Sequence, residues 1–346
     1  MPARSAPGPA SARPSRAAAR PNRLLVAIPA LDEAATLGAV LDAIPRRIDG
    51  IDEIAVLVVD DASHDTTAEI ARTRDATVIR HLENRGVGAA FHTALGHALE
   101  TGADFLITLD ADGQFDPRDI PAVVAPVVRD EADFVTGSRF AEPALAPRMP
   151  WLKRWGNRQM SRLVSHLTGR RFHDVSCGMR CYNRRALLSL NLMGAFTYTQ
   201  EVFLNLAYKR LRIAEVPIRV RGQREFGTSR VAANVPRYAL LTSAILLRAY
   251  RDHHPMRFFG SLAALLLAPA LTLEAFFVTH YLVFGSFSPH KWAGFSGAAL
   301  ALLGLGMVCM GVLGDLLNRH RIYLEELLYE NRRRNGEHGA GALPRG

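Results

Sequence analysis

The chain has 346 residues, 49% of them hydrophobic, and a formal net charge of +9, enough for one large domain or two smaller ones. Its cysteines, Cys177, Cys181 and Cys309, make neither a disulfide framework nor a zinc site, because the C-x3-C spacing has no second pair; a reducing compartment suits the soluble part. The basic character is almost wholly arginine, Lys153, Lys209 and Lys291 being the only lysines. Arginine's planar fork suits phosphate and carboxylate, codon bias explains the same composition equally well, and no nucleic-acid partner is expected.

Residues 1–22 carry Arg4, Arg13, Arg16 and Arg20, five prolines and no acid. Without an apolar h-region this is not a secretory signal; a disordered basic tail that can rest on anionic lipid is expected. From Leu24 to about Val220, short apolar runs alternate with amphipathic stretches. The pattern predicts strands at Leu24–Ile28, Ile54–Val59, Thr77–Arg80, Phe105–Leu109 and Phe134–Thr136. Helices are predicted between them, at Glu33–Ile44, Thr66–Arg74, Gly88–Leu99 and Asp119–Val128. Such alternation argues for an α/β fold whose mostly parallel sheet is covered on both faces. In sheets of this kind ligands sit beyond the carboxyl ends of the strands, where Asp60, Asp61, Asp110 and Asp112 all fall. Asp110 and Asp112, spaced i and i+2 after the run Phe105–Leu109, can reach one hard cation from one side and leave the other for phosphate oxygens. Gln114 adds a neutral oxygen.

Met149–Leu167 has helical periodicity with Arg and Lys interleaved, and Asp174–Arg180 reads as a short irregular stretch. A helix at Thr199–Arg210, a strand at Arg212–Val220 and a polar, glycine-containing loop at Arg221–Arg230 follow. Beyond residue 234 the character changes. Val235–Tyr250 is an amphipathic helix candidate for the membrane interface. Phe258–Phe284 has Glu274 as its only acid, and Trp292–Gly314 runs 23 residues without a charge, roughly 35 Å at ~1.5 Å per residue, enough to cross a bilayer core. The expectation is a hairpin of two transmembrane helices. Arg251, Arg257, Arg319, Arg321 and Arg332–Arg334 lie outside the spans, while the connecting loop has a single lysine. The positive-inside rule then puts the catalytic domain and both termini on the cytoplasmic side of a multi-pass inner-membrane protein. Glu274 is costly within a bilayer and is expected to face a partner.

Ile28-Pro29-Ala30-Leu31-Asp32-Glu33 and Val58-Val59-Asp60-Asp61-Ala62-Ser63-His64-Asp65-Thr66 resemble the opening of family 2 glycosyltransferases with the GT-A fold. The resemblance continues through Asn84-Arg85-Gly86-Val87-Gly88-Ala89-Ala90, Asp110-Ala111-Asp112-Gly113-Gln114 and Gly137-Ser138-Arg139. With the C-terminal hairpin, it is closest in kind to the polyprenyl-phosphate sugar synthases. The resemblance implies a nucleotide-sugar donor, UDP- or GDP-linked, a polyprenyl phosphate acceptor, single-sugar transfer with inversion, and Mg2+ or Mn2+ held by Asp110, Asp112 and Gln114. It implies a nucleotide-binding site at Pro29, Ala30, Glu33, Asp60, Asp61 and Asp110, with Asp61 and the Pro29–Glu33 loop on the base and ribose; a helix cap is the other reading of Glu33. Arg139, Arg154 and Arg158 would cradle the acceptor phosphate, and Glu201 would line the sugar pocket. Asp112, Arg139 and Asp174 form the catalytic set, with Asp174 either a base or an orienter of arginine, and Arg224–Arg230 would be a lid. Asp32 stands where the family usually has Asn, and Ala62 where it has Gly. The implied division is a tail at 1–22, a GT-A domain at 23–233, a juxtamembrane helix at 234–256, the hairpin at 257–317 and a basic cytoplasmic tail at 318–346.

Three other readings fare worse. Gly86-Val87-Gly88 lacks the third glycine of a dinucleotide fingerprint and does not follow the first strand, which disfavours an oxidoreductase. A processive polysaccharide synthase of the same family would carry Gln-x-x-Arg-Trp, where Trp151-Leu152-Lys153-Arg154-Trp155 has only the last two residues. A non-catalytic scaffold has no need of Asp110, Asp112, Gln114 and Arg139 together. Homo-oligomerisation is left open.

Overall fold

The computed structural model describes residues 21–147, 149–192, 199–221, 243–244 and 247–341. Alternation within the first strand decides the layering. In β1 (Arg23–Ala30), Leu25 and Ala27 enter one apolar cluster and Leu24, Val26 and Ile28 the other, because successive side chains leave opposite faces of a strand. A strand buried on both faces needs helices on both sides.

Parallel pairing joins β1 to β2 (Glu53–Asp60) and to β4 (Phe105–Thr108), and β2 to β3 (Thr77–Arg80). The other half of the sheet hangs on an antiparallel strand, β6 (Arg180–Asn183), between β4 and β5 (Phe134–Ser138). At the far edge β7 (Ile213–Pro217) runs parallel to β5. The seven strands lie in the order β3-β2-β1-β4-β6-β5-β7. The sequence pattern passes over β6 because Arg180-Cys181-Tyr182-Asn183 opens on a charge and has no apolar run.

One face is covered by α1 (Ala34–Asp42), α2 (Thr67–Arg72) and α4 (Ile120–Val128), through residues such as Leu37, Val40, Ala71, Ile120 and Val124. On the other lie α3 (Val87–Glu100), α5 (Trp151–Thr168), α6 (Arg184–Ser189) and α7 (Thr199–Tyr208), through Phe91, Leu95, Val164, Leu187 and Phe203. The result is a three-layer α/β/α domain.

The chain ends in two long helices, α8 (Pro255–Phe284) and α9 (Lys291–Gly341), packed as a hairpin. Both contain windows long and apolar enough to cross a membrane, with mean hydropathy 2.0 and 2.1 and only 11% of each window buried. A core helix of a soluble protein would bury most of such a window. Glycines let the two helices approach. A Cβ on Gly297 would lie 2.7 Å from Glu274 Oε1, and one on Gly304 2.6 Å from Leu267 Cδ2, so Glu274 faces α9. Past residue 317, α9 continues and grips the α/β domain. Arg332 donates to the carbonyls of Leu188 and Leu190, at 3.2 and 2.8 Å, and Glu325 pairs with Lys209 at 3.0 Å.

The tail at 1–20, the Arg224–Arg230 loop and most of the Val235–Tyr250 helix lie outside the described residues.

Candidate active site

The carboxyl ends of β1, β2 and β3 frame a cavity of about 370 Å3 lined by Leu31, Asp32, Ala62, His64, Leu82, Glu83 and Asn84. Its walls are tied to one another. Asp32 accepts from His64 N at 2.7 Å and donates its own N–H to Ser63 Oγ at 2.9 Å, while Asp60 Oδ1 accepts from Ser63 N at 2.9 Å. Asp60 Oδ2 lies 3.2 Å from Arg80 Nε, close enough for charge attraction but without hydrogen-bond geometry. The backbone of Asp32 at φ 51° and of Ala62 at φ 66° is left-handed. At these two positions the resemblance to family 2 glycosyltransferases implies Asn and Gly, residues that tolerate this conformation.

Asp61 is 4% exposed and accepts from Arg85 N at 2.9 Å, Gly86 N at 2.7 Å and His81 Nδ1 at 2.7 Å. A carboxylate offers only lone pairs, so the imidazole proton facing it sits on Nδ1. Asp61 thus holds the loop that leads into α3. Pro29 and Ala30 end β1, where the Ala30 carbonyl accepts from Asp61 N at 2.9 Å. Glu33 precedes α1 but makes no side-chain cap bond; Asp65 instead accepts from Ala34 N at 3.1 Å. The Glu33 carboxylate accepts from Thr36 Oγ1 at 3.4 Å.

At the end of β4 the chain turns through Asp110, half-buried, and Asp112, 3% exposed, whose Oδ1 accepts from Gln114 N at 3.0 Å. Gly178 presses against this turn: a Cβ there would stand 2.6 Å from Asp110 Oδ2. Thr108 Oγ1 ties the Gly178 carbonyl to β4 at 2.7 Å. The Gln114 carbonyl accepts from Arg221 N at 3.0 Å, the last described residue before the segment that contains Arg224–Arg230.

The same 174–178 loop delivers Asp174 to Arg139. Asp174 is fully buried and accepts from Arg139 Nε at 2.6 Å, Nη2 at 2.9 Å and the backbone N–H at 3.1 Å. Burial works to raise the Asp174 pKa, but the Arg139 charge and hydrogen bonds overcome it and hold the carboxyl below its usual range. Burial likewise works to lower the Arg139 guanidinium, and the Asp174 charge reverses the sign; Asp110 acts on Arg139 in the same direction. Burial, then the Asp174 charge, push the Cys177 thiol up to about 12, which makes it inert as a nucleophile.

Sequence reasoning passed over Arg180. It is 0% exposed and donates to the carbonyls of Cys177 at 2.7 Å, Val175 at 3.0 Å and Thr199 at 2.7 Å. Its guanidinium also lies over the Phe203 and Phe134 rings, 5.2 and 5.9 Å from their centroids. One side chain therefore fastens the loop behind Asp174 to the start of α7. The signal was legible only as an arginine beside Gly178 in a stretch that read as irregular.

Asp110, Asp112, Arg139 and Asp174 are thus joined through the 174–178 loop, with Asp60 and Asp61 two strands from Asp110 across β1. Glu201 lies on the first turn of α7, half-buried, beside Gln200, whose Nε2 reaches Ser176 Oγ at 3.3 Å. Arg154 and Arg158 are exposed on α5, flanking Asn157, whose Nδ2 reaches Asp174 Oδ1 at 3.5 Å. Among the described residues no three His, Cys, Asp or Glu side chains converge on one point. A metal at this edge would draw on Asp110 and Asp112 and take its other ligands from phosphate oxygens, a donor set that suits Mg2+ or its analogues.

The comparisons decide the family. Residues 25–190 match the model of glycosyl transferase family 2. A dolichyl-phosphate N-acetylglucosaminyltransferase that uses UDP-N-acetylglucosamine, from Methanococcus voltae, is 33% identical over 57% of this chain and 84% of its own. An undecaprenyl-phosphate mannosyltransferase from Micrococcus luteus is 31% identical over 62% of this chain and 89% of its own. The chain belongs to glycosyl transferase family 2. Its sheet matches the GT-A enzyme glucosyl-3-phosphoglycerate synthase from Mycobacterium tuberculosis, solved with Mn2+, UDP-glucose and phosphoglyceric acid. The TM-score is 0.53 at 23% identity, covering 66% of this chain and 80% of that one. This glycosyltransferase therefore has the GT-A fold, followed by two apolar C-terminal helices.

Proposed function

We propose that this glycosyltransferase moves one sugar from a nucleotide sugar to a polyprenyl phosphate at the cytoplasmic face of the membrane, with inversion. One observation carries the reading: the Arg139–Asp174 pair stands beside the Asp110–Asp112 turn in a chain that also has two membrane-length apolar helices. The relatives named for dolichyl and undecaprenyl phosphate support the acceptor class. A polyprenyl phosphate is already an anion, so it needs a cation in line with the anomeric carbon more than it needs a base.

The roles follow from what each group has left to give. The 370 Å3 cavity takes the nucleoside, with Asp32 and Ala62 in its wall, and Asp60 and Asp61 stand at the carboxyl end of β2. Asp110 and Asp112 would hold Mg2+ or Mn2+, with Gln114 beside them; once bound, the ion supplies positive charge to the departing diphosphate. Arg139 spends Nε–H and one Nη2–H on Asp174, leaving three of a guanidinium's five N–H groups for the acceptor phosphate. Attack by the phosphate oxygen forms the new C1–O bond as the bond from C1 to the nucleoside diphosphate breaks. Asp174, held below its usual range by Arg139, suits orienting that arginine rather than taking a proton. Arg154 and Arg158 add positive charge where the lipid phosphate arrives, and Glu201 borders the sugar.

The test is transfer from a panel of radiolabelled UDP- and GDP-sugars to polyprenyl phosphate in detergent, with EDTA and Asp112→Asn as controls. The amide of Asp112→Asn keeps an oxygen for Gln114 N, so folding should persist while transfer is lost. A glycolipid from one donor, absent in both controls, is the expected result. No product from any donor, with nucleotide binding intact, would overturn the proposal.

A further inference from the structure

α9 has 51 residues, about 75 Å at ~1.5 Å per residue, more than twice the ~30 Å core of a bilayer. Its uncharged window ends at Gly314, with Asp315 and Arg319 following, so the rest of the helix stands in water. Its exposed apolar side chains do not stop at that boundary. Tyr323, Leu324, Leu327 and Leu328 leave between 46% and 67% of their surface open, on a helix that continues unbroken away from the lipid. Large apolar groups gathered in this way mark a contact surface rather than ordinary scatter.

Two stripes on α9 repeat every seven residues. One is occupied. Gly297, Gly304 and Gly311 lie against Glu274, Leu267 and Met256 of α8, and Glu325 and Arg332 continue the same repeat onto the α/β domain, at Lys209 and at the carbonyls of Leu188 and Leu190. The other is open. Leu303, Met310, Leu317, Leu324 and Asn331 follow at intervals of seven, Gly306, Leu313, His320 and Leu327 stand three residues after the first four, and all of them are exposed. At ~100° per residue, Leu324 and Leu327 lie about 100° and 160° round the helix from Glu325, clear of the face that the domain holds. Apolar residues alternating at intervals of three and four make the a and d positions of a coiled coil. Because α9 already keeps a seven-residue repeat against α8, a second stripe with that repeat faces one direction along its whole length.

We propose that the open stripe of α9 pairs with the same stripe of a second copy of the chain, in a parallel coiled coil that runs from the bilayer into the water beyond it. Two copies inserted the same way in one bilayer are parallel and level, so each position meets its own counterpart. Leu317, Leu324 and Leu327 then form apolar layers, and Asn331, a single polar residue at an a position, pairs with its twin and fixes the register. The area suffices for a pair. Leu316, Leu317, Tyr323, Leu324, Leu327 and Leu328 leave on the order of 600 Å2 open per chain, so two chains reach about the 1,200 Å2 at which specific interfaces begin. Met310 and Leu303 extend the contact within the bilayer. A different protein is the competing occupant, but only a second copy brings a matching repeat at equal depth. The proposal rests on the membrane reading of α8 and α9 and is independent of the transfer chemistry.

The test uses the full chain in native membranes, with Cys309→Ser so that only the fully buried Cys177 and Cys181 remain. Single cysteines are placed along α9 and oxidised with copper phenanthroline. Leu317→Cys, Leu324→Cys and Leu327→Cys should form disulfide-linked dimers roughly fivefold faster than Ile322→Cys and Glu326→Cys, on the side of the helix away from the stripe. Light scattering in detergent should give the mass of two chains. Leu324→Glu/Leu327→Glu should give the mass of one, with Cys177 and Cys181 as slow to label as in the parent, which shows an intact fold. Equal yields at all five positions, or none, in protein that stays in the membrane through an alkaline wash would refute the coiled coil while the spans stand. Protein that the wash releases would remove the shared bilayer, and the proposal with it. Stripe cysteines that link to another polypeptide instead of to one another would identify a different partner and overturn the proposal.

Discussion

Ala62 provides a substitution whose sign runs against habit. Its left-handed backbone, φ 66°, costs an L-residue roughly 1–2 kcal/mol, and Ala62→Gly removes that cost. Glycine in turn frees the unfolded chain, a loss of about 0.4–1 kcal/mol. The difference leaves Ala62→Gly more stable by about 0.5–1 kcal/mol, a factor of roughly two to five in the unfolding equilibrium. The same change at Ala94, 3% exposed within α3, should go the other way. There it loses about 1 kcal/mol of helix propensity and about 0.8 kcal/mol of buried methyl. Thiol labelling reads both, because Cys177 and Cys181 are fully buried and Cys309 is exposed. In a Cys309→Ser background, the labelling rate under fast reclosing follows the population of the opened domain. Ala62→Gly should slow labelling about two- to fivefold and Ala94→Gly should speed it. Unchanged or faster labelling in Ala62→Gly would refute the strain argument.

Gly178→Ala must move either Asp110 or the loop, since its Cβ would stand 2.6 Å from Asp110 Oδ2. Transfer is expected to fall tenfold or more while the melting temperature stays close to wild type, checked by kinetics alongside thermal unfolding. Asp174→Asn leaves Arg139 without its charge partner in a buried site, a loss of about 3–5 kcal/mol. Because the folded pKa of Asp174 is depressed, its wild-type contribution is complete above about pH 4 and is lost as pH falls through the folded value. Melting temperatures of the variant should therefore vary less with acid than those of the parent. His253 is pulled down to about 4 by burial and then by the Arg321 charge. Its contribution is whole above about pH 6.5 and drains as pH falls toward 4. Hydrogen-exchange protection factors at 205–211, taken against the intrinsic rate at each pH, should fall over that window in wild type and not in His253→Phe.

Much of the parallel half was legible in the sequence, because a strand buried on both faces writes itself as an unbroken apolar run. Leu24–Ile28 is of this kind throughout and Ile54–Val59 over its second half, Leu57–Val59, and each leads into the cavity, at Asp32 and at Ala62. The antiparallel half was not. β6 is four residues opening on Arg180, and a buried arginine leaves no apolar trace; it is tolerated because carbonyls of Val175, Cys177 and Thr199 receive its protons. Residue identity was legible where geometry was not: Asp32 and Ala62 stood out as departures, but only the positive φ angles explain why Asn and Gly are usual there.

The division of the sheet has a chemical consequence. The parallel strands β1, β2 and β3 frame the cavity, whereas the Arg139–Asp174 pair belongs to the part built around β5 and β6. These two regions meet where Gly178 touches Asp110 and where Thr108 Oγ1 holds the Gly178 carbonyl. The loop that makes this contact also carries Asp174, and Arg180 fixes it to α7 through three carbonyls. Moving the 174–178 loop would therefore shift Asp174, and with it the reach of Arg139, at the same time as it disturbed Asp110. Such coupling gives a reason for a buried charge so near the site: three directed hydrogen bonds specify one loop position, where an apolar side chain of similar volume would permit several.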